Sequence, residues 1–146
     1  MMSTSIHDSF VTATLGFAAN SAGDGVAYVA LGEADGRIGS LVRVAFRCPP
    51  LAALRGRDVA YAATEAVAAH LLGRGLRTVA FAFDDVSLAR DLVERAAVPA
   101  ALTIPYVRLR CTLNRFTHVD LHAVEDRSTR DLGARARAEV ALAVAA

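Results

Sequence analysis

Hydrophobic and polar positions alternate with period two over the first third of the chain and with a helical period over much of the rest. F-V-T-A-T-L-G, from Phe10 to Gly16, is β-branched and aromatic, which predicts a strand. The small residues of F-A-A-N-S-A-G-D-G predict a turn, and V-A-Y-V-A-L (Val26 to Leu31) a second strand. Gly32 to Gly36 reads G-E-A-D-G, whose Asp-Gly supplies the positive φ angles of a hairpin. The third strand, Ile38 to Cys48, puts Val42, Val44, Phe46 and Cys48 on one face and Arg43, Ala45 and Arg47 on the other. Such alternation belongs to a half-buried antiparallel strand.

Pro49 and Pro50 end that strand, and Asp58 stands where an N-cap would open a long Ala/Leu/Val helix. Positions 59, 63, 66, 67, 70 and 71 share one helical stripe, which sets His70 near an apolar face as a core or boundary residue. Gly73 and Gly75 close the helix. Thr78 to Phe83 is a fourth strand that stops on Asp84 and Asp85, and V-S-L-A-R-D-L-V-E-R is an amphipathic helix. Tyr106 to Phe116 fits both periods, and Pro105 at a first-turn position favours helix. His118 to Val124 is the last strand, with Val119, Leu121 and Ala123 inward. A terminal helix opens on Ser128, with Asp131 three residues on as the far side of a capping box.

The order is β-β-β-α-β-α-α-β-α, which implies an α/β fold: a five-stranded mixed sheet, three antiparallel strands first, with helices on both faces. Residues 1–9 read as a flexible leader and 10–146 as one domain. A strand that ends on a carboxylate places it at the carboxyl edge of the sheet, where α/β folds tend to keep their ligands. Asp84 is therefore the first candidate for chemistry.

Composition narrows the setting. Hydrophobic residues are 54% of 146, yet no apolar run approaches the ~20 residues of a membrane span. The opening M-M-S-T-S-I-H-D-S has neither a basic nor an apolar signal region, and Cys48 and Cys111 sit singly in apolar alternation. These features predict reduced core thiols in a cytoplasmic protein with no membrane partner. All sixteen basic residues are arginine, against fifteen acids, for a net charge of +1. Totals therefore show no strong non-specific grip on nucleic acid.

Four strings carry a resemblance: T-L-G-F-A-A-N-S-A-G-D-G-V-A-Y-V-A-L, then Val59-Ala60-Tyr61, the spacing from Gly75 to Asp84, and Phe116-Thr117-His118-Val119. From Phe10 to about Ala138 the chain resembles the ribonuclease H family, in its type 1 branch. Members cleave the RNA strand of an RNA/DNA hybrid with two Mg²⁺ ions held by four carboxylates, a clamp that needs several oxygen ligands. Transferred position by position, the resemblance puts Leu15 where the first aspartate belongs and Ala60 where the helix glutamate belongs. It keeps Asp84 and offers Asp131 as the fourth. Asp84 or Asp85 equally suits the N-cap of the following helix, and Asp131 its own helix's first turn. Glu65 lies about 140° further round the helix than Ala60, and Asp8 and Asp24 flank the first strand.

Three readings follow. The first is a catalytically silent ribonuclease H-like binding or assembly module, touching an RNA/DNA hybrid or other nucleic acid through Arg43, Arg47, Arg55 and Arg57, with Tyr61 as a stacking residue; each also has an ordinary structural reading. No cofactor is expected in that case. The second is a divergent nuclease using Mg²⁺ or Mn²⁺ on Asp84, Asp85, Asp8 or Asp131. The third is a protein-interaction role, with the apolar tail A-E-V-A-L-A-V-A-A forming a homodimer contact or else covering the chain's own sheet.

Overall fold

A computed structural model describes residues 11–33, 38–48, 56–94 and 97–145. Five strands, β1 (Val11–Ala19), β2 (Asp24–Glu33), β3 (Ile38–Arg47), β4 (Thr78–Phe83) and β5 (His118–Ala123), form one sheet in the order β3-β2-β1-β4-β5. β1, β2 and β3 pair antiparallel, whereas β4 runs parallel to β1 and β5 parallel to β4. The helices are α1 (Arg57–Gly73), α2 (Val86–Val93), α3 (Thr103–Leu113) and α4 (Arg127–Ala145). Order and sheet type match the expectation from the hydrophobic pattern. The leader, the Asp35-Gly36 connection, Pro49, Pro50 and Arg55 lie outside the described residues.

β1 runs three residues further than predicted, because Phe17, Ala18 and Ala19 pair with Ala27, Val26 and Gly25. The turn is confined to Asn20–Gly23, where the Asn20 side-chain oxygen accepts the Ala22 and Asp24 amides at 2.9 and 3.0 Å. An Asn side chain standing in for a backbone acceptor is a local device that needs no long loop.

Alternate residues of β1 serve different faces. Ala13 and Leu15 join one core with Val29, Phe81, Phe83 and the inner side of α1. Gly16, on the other face, lies under α4: a Cβ there would fall inside van der Waals distance of the Gly133 amide and the Leu132 carbonyl carbon. Leu132 and Ala136 of α4 close a second, smaller cluster over Val26 and Tyr28. The tail thus covers the chain's own sheet as far as Val140, one of the two roles open to it, while Leu142 is 72% exposed.

α1 buries two adjoining faces, one on the sheet and one on α3, through residues such as Tyr61, Thr64, Val67, Ala68, Leu71 and Leu72. The buried arc is therefore wider than the predicted stripe and displaced from it, so His70 is exposed, contrary to expectation. Gly56 precedes the helix and Asp58 lies buried in its first turn rather than at the cap. At the other end Gly75, at φ 87, lets its amide reach the Leu72 carbonyl and that of Leu76 the Leu71 carbonyl, at 3.0 and 3.1 Å. That is a glycine stop of the expected kind.

α3 is a helix, as Pro105 suggested. Leu109 and Leu113 point inward, and Cys111, about 200° round from Leu109, is exposed rather than a core thiol; Cys48 is buried. Val119 and Leu121 of β5 pack against the core, but Ala123, at the outer end of an edge strand, is exposed. α4 opens two residues earlier than predicted: Asp126 Oδ1 accepts the Thr129 amide at 3.0 Å and the Thr129 hydroxyl accepts the Asp126 amide at 3.1 Å. This reciprocal pair caps the helix in place of Ser128 and Asp131. Among the described residues no helix is long and apolar enough to cross a membrane.

Candidate functional site at the carboxyl edge of β4

β4 sends Val79, Phe81 and Phe83 into the core and leaves the chain at Asp84, which is exposed and makes no hydrogen bond with a described residue. Asp85 is the cap of α2: its backbone is extended and its side chain accepts the Leu88 amide at 2.9 Å. Of the two adjacent aspartates, one closes a helix and the other faces solvent.

Leu15 and Ala60 belong to the same buried cluster, at 0% and 1% exposure. β1 pairs with β4 as far as Thr14 beside Ala82, so Leu15 follows in register next to Phe83. Both positions are filled by hydrocarbon continuous with the core. Asp131 is exposed on α4 and faces Arg127, one turn earlier, at 3.7 Å. Among the described residues no three His, Cys, Asp or Glu side chains come close enough together to hold a metal ion.

Of the arginines singled out from the sequence, the three that are described, Arg43, Arg47 and Arg57, are committed to acids. Arg43 donates from two nitrogens to Glu139, which also accepts the Tyr28 hydroxyl. These contacts draw the Glu139 carboxyl down to about 2, the Arg43 hydrogen bonds contributing most and Tyr28 next, and raise the Arg43 guanidinium in return. Arg47 holds Asp24 at 2.5 Å. Arg57 and the Tyr61 hydroxyl converge on one oxygen of Asp91, at 2.6 and 2.7 Å. Tyr61 is 1% exposed, so its ring offers no face to a base, and the stacking role expected of it does not fit this geometry. Burial first, then the Asp91 hydrogen bond, pushes its phenol upward. Burial likewise raises the Cys48 thiol to about 11, with Asp58 adding to the effect.

Sequence reasoning missed both the acids that absorb these charges and the basic groups beside the carboxyl end of β5. Glu139 and Asp91 lie 96 and 34 residues from their arginines, and no local spacing announces such pairs. Arg90 on α2 lines a groove with Leu121, His122 and Ala123 of β5, and Arg127 and Arg130 open α4 just beyond that strand. Arg90, His122 and Arg130 are exposed, so the edge that carries Asp84 is also the edge that carries this basic rim.

No protein-family model matches the sequence, and no curated protein matches it. Solved structures do. RNase H1 of the halophilic archaeon Halobacterium salinarum is 17% identical, with 90% of this chain and 96% of that one covered, at a TM-score of 0.66. LC11-RNase H1, isolated from compost by a metagenomic approach, is 12% identical, with 92% and 97% covered, at 0.67. The same protein in complex with an RNA/DNA hybrid is 13% identical, with 88% and 91% covered, at 0.58. The sheet order, the parallel β1-β4-β5 half and the helix on each face are therefore those of the type 1 ribonuclease H fold.

Proposed function

We propose that this chain is a ribonuclease H-like domain that holds nucleic acid without cleaving it. The observation that carries the reading is the placement of Leu15 and Ala60 inside the core cluster, at the two positions where the family resemblance calls for carboxylates. A pair of Mg²⁺ or Mn²⁺ ions does not fit the donors that surround Asp84. Asp85 spends an oxygen on Leu88, Asp131 faces Arg127, Leu15 and Ala60 are hydrocarbon, and among the described residues no three His, Cys, Asp or Glu side chains gather.

The holding role rests on the basic rim rather than on the arginines chosen from the sequence. Arg90, Arg127 and Arg130 stand at the carboxyl edge; of the three, Arg127 alone meets an acid among the described residues, exposed Asp131 at 3.7 Å, a longer contact than those that hold Arg43, Arg47 and Arg57, and guanidinium groups suit phosphate. The hybrid complex of LC11-RNase H1 has the same fold and supports an RNA/DNA hybrid as the first ligand to try. The test is a polarisation titration against hybrid, duplex RNA, duplex DNA and single strands over a salt series, run beside a Mg²⁺ and Mn²⁺ cleavage assay. Binding that weakens with salt, by a slope of roughly 0.9 per phosphate contact, and that falls several-fold in an Arg127→Ala, Arg130→Ala double variant is the expected result, with no cleavage. Absence of binding at low salt removes the nucleic-acid role. Cleavage that vanishes in Asp84→Asn establishes instead the divergent nuclease with relocated carboxylates.

A further inference from the structure

The two outer strands of the sheet differ. β5 is six residues long and sets His118, Asp120 and His122 on one face, and shortness and charge both blunt an edge against further pairing. β3 is ten residues long, holds no proline, and pairs with β2 without a bulge from Ser40 to Arg47. Its arginines do not blunt it, because Glu139 and Asp24 hold them. Cys48, at the end of that ladder, donates its amide to the Gly23 carbonyl opposite, at 2.7 Å. Antiparallel pairs alternate, so Phe46, Val44, Val42 and Ser40 also turn their N–H and C=O groups toward β2. Those of Leu41, Arg43, Ala45 and Arg47 point to the outer edge.

α4 overhangs that edge. From Gly133, against β1, to Glu139, which holds Arg43 of β3, the helix rises about 9 Å, the width of two strand spacings of about 4.8 Å. It therefore runs across the strands, and its residues after Val140 continue past β3, where Leu142 is 72% exposed. Beside the helix a groove opens on the same face, floored by Val26 and Ala45 and walled by Asn20, Arg47 and Val140. One edge thus carries both an apolar projection and a place for one.

A second copy of β3 matches this edge in one register. Antiparallel pairing centred on Arg43 sets that residue opposite itself, and centring on Ala45 sets Arg43 opposite Arg47; like charges directly opposite are unfavourable. Centring on Val44 pairs Arg43 with Ala45 and Leu41 with Arg47, which engages all four outward residues. On the other face it brings Val44 to Val44 and half-buried Val42 to half-buried Phe46, an aromatic and β-branched pair of the favourable kind. The α4 that lies over Arg43 is then carried over the second copy's Ala45, the floor of its groove.

We propose that two copies of this chain join their β3 strands antiparallel about a two-fold axis at Val44, each α4 laying Leu142 into the other's groove. The dimer needs no nucleic acid, so its failure leaves the holding role standing. Sedimentation equilibrium of the full chain alone tests it, and a reversible monomer–dimer equilibrium is expected. Ala45→Pro removes one outward N–H, which an edge strand tolerates, and weakens dimerisation by roughly thirtyfold, the two-fold axis counting the loss twice. Ala45→Arg, opposite Arg43 of the second copy, weakens it by roughly tenfold, and Ala45→Glu strengthens it several-fold at low salt. Circular dichroism checks that each variant keeps its sheet, and the Arg and Glu variants carry the test if the proline variant unfolds. In a Cys111→Ser background, Val44→Cys cross-links to its own copy under mild oxidation, since a non-hydrogen-bonded pair holds its Cα atoms about 4.5 Å apart, within disulfide reach; Val42→Cys does not. A monomer at millimolar concentration, a dimer indifferent to the Ala45 variants, or cross-linking at Val42→Cys in place of Val44→Cys overturns the proposal.

Discussion

On the α1 face the sheet is closed by bulk: Leu15, Phe81, Phe83, Val67 and Leu71 fill the space between strand and helix. On the α4 face it is closed by approach, with the backbone of β1 at Gly16 nearly touching that of α4 at Gly133 and a small apolar cluster of Val26, Tyr28, Leu132 and Ala136 buried around it. The thinner face is supplemented at its margin by charge, where Arg43, Tyr28 and Glu139 tie β3, β2 and α4 together. The difference teaches where each face tolerates change. A packed face resists polarity, whereas a close-approach face resists any side chain.

The severest way to break the first face is to restore the carboxylate that the family resemblance calls for. Leu15→Asp buries a charge with no partner and is expected to cost about 4 kcal/mol or more, read from denaturant midpoints. Mn²⁺ is expected to restore none of it; recovery of stability with metal would reveal a latent site and count against the holding-only function. The second face breaks at Gly16→Ala, where the new methyl group meets α4 backbone rather than a flexible side chain. The expected loss is about 3 kcal/mol, together with faster amide exchange in α4 than in α1. If both helices exchange alike, the two faces are not closed independently.

A smaller effect sharpens the comparison beneath α1. Tyr61→Phe removes one of two donors to buried Asp91 and leaves Arg57 alone with it, an expected loss of about 1–2 kcal/mol. Asp91→Asn in the same background then reports how much of that loss is an unsatisfied acceptor. The smallest effect is at the α4 margin and depends on pH. The Glu139 carboxyl lies at about 2 in the folded chain, against 4.5 for a free one. Its contribution is thus fully present above about pH 4.5 and is lost as pH falls toward 2. The melting-temperature difference between wild type and Glu139→Gln is expected to hold at neutral pH and shrink through that window. A constant difference would assign the clamp to packing rather than charge.

Much of this arrangement was legible from short-range pattern. β4 has the bounds its apolar run predicted, Asp85 caps the helix that follows it, and Pro105 decided between helix and strand for α3. Errors cluster where a choice depended on distant chain. Ser128 and Asp126 are both good caps in isolation, and α4 begins at the earlier one, where Thr129 can also reach the Val124 carbonyl at the end of β5. His70 and Cys111 were assigned inward from one stripe each, but which arc of a helix is buried depends on how many neighbours flank it. Around the candidate site, Asp84 at the end of β4 and the apolar side chains Leu15 and Ala60 were legible from residue identity and strand pattern, while the gathering of Arg90, Arg127 and Arg130 at the same edge was not.

The sequence alone determined the order of elements, the mixed sheet and the hydrocarbon side chains at Leu15 and Ala60, since periodicity, turn chemistry and residue identity are local properties. Only the tertiary structure decided which arginines are neutralised and which tyrosine is out of reach. Those outcomes depend on distances between residues tens of positions apart, and no spacing along the chain encodes them.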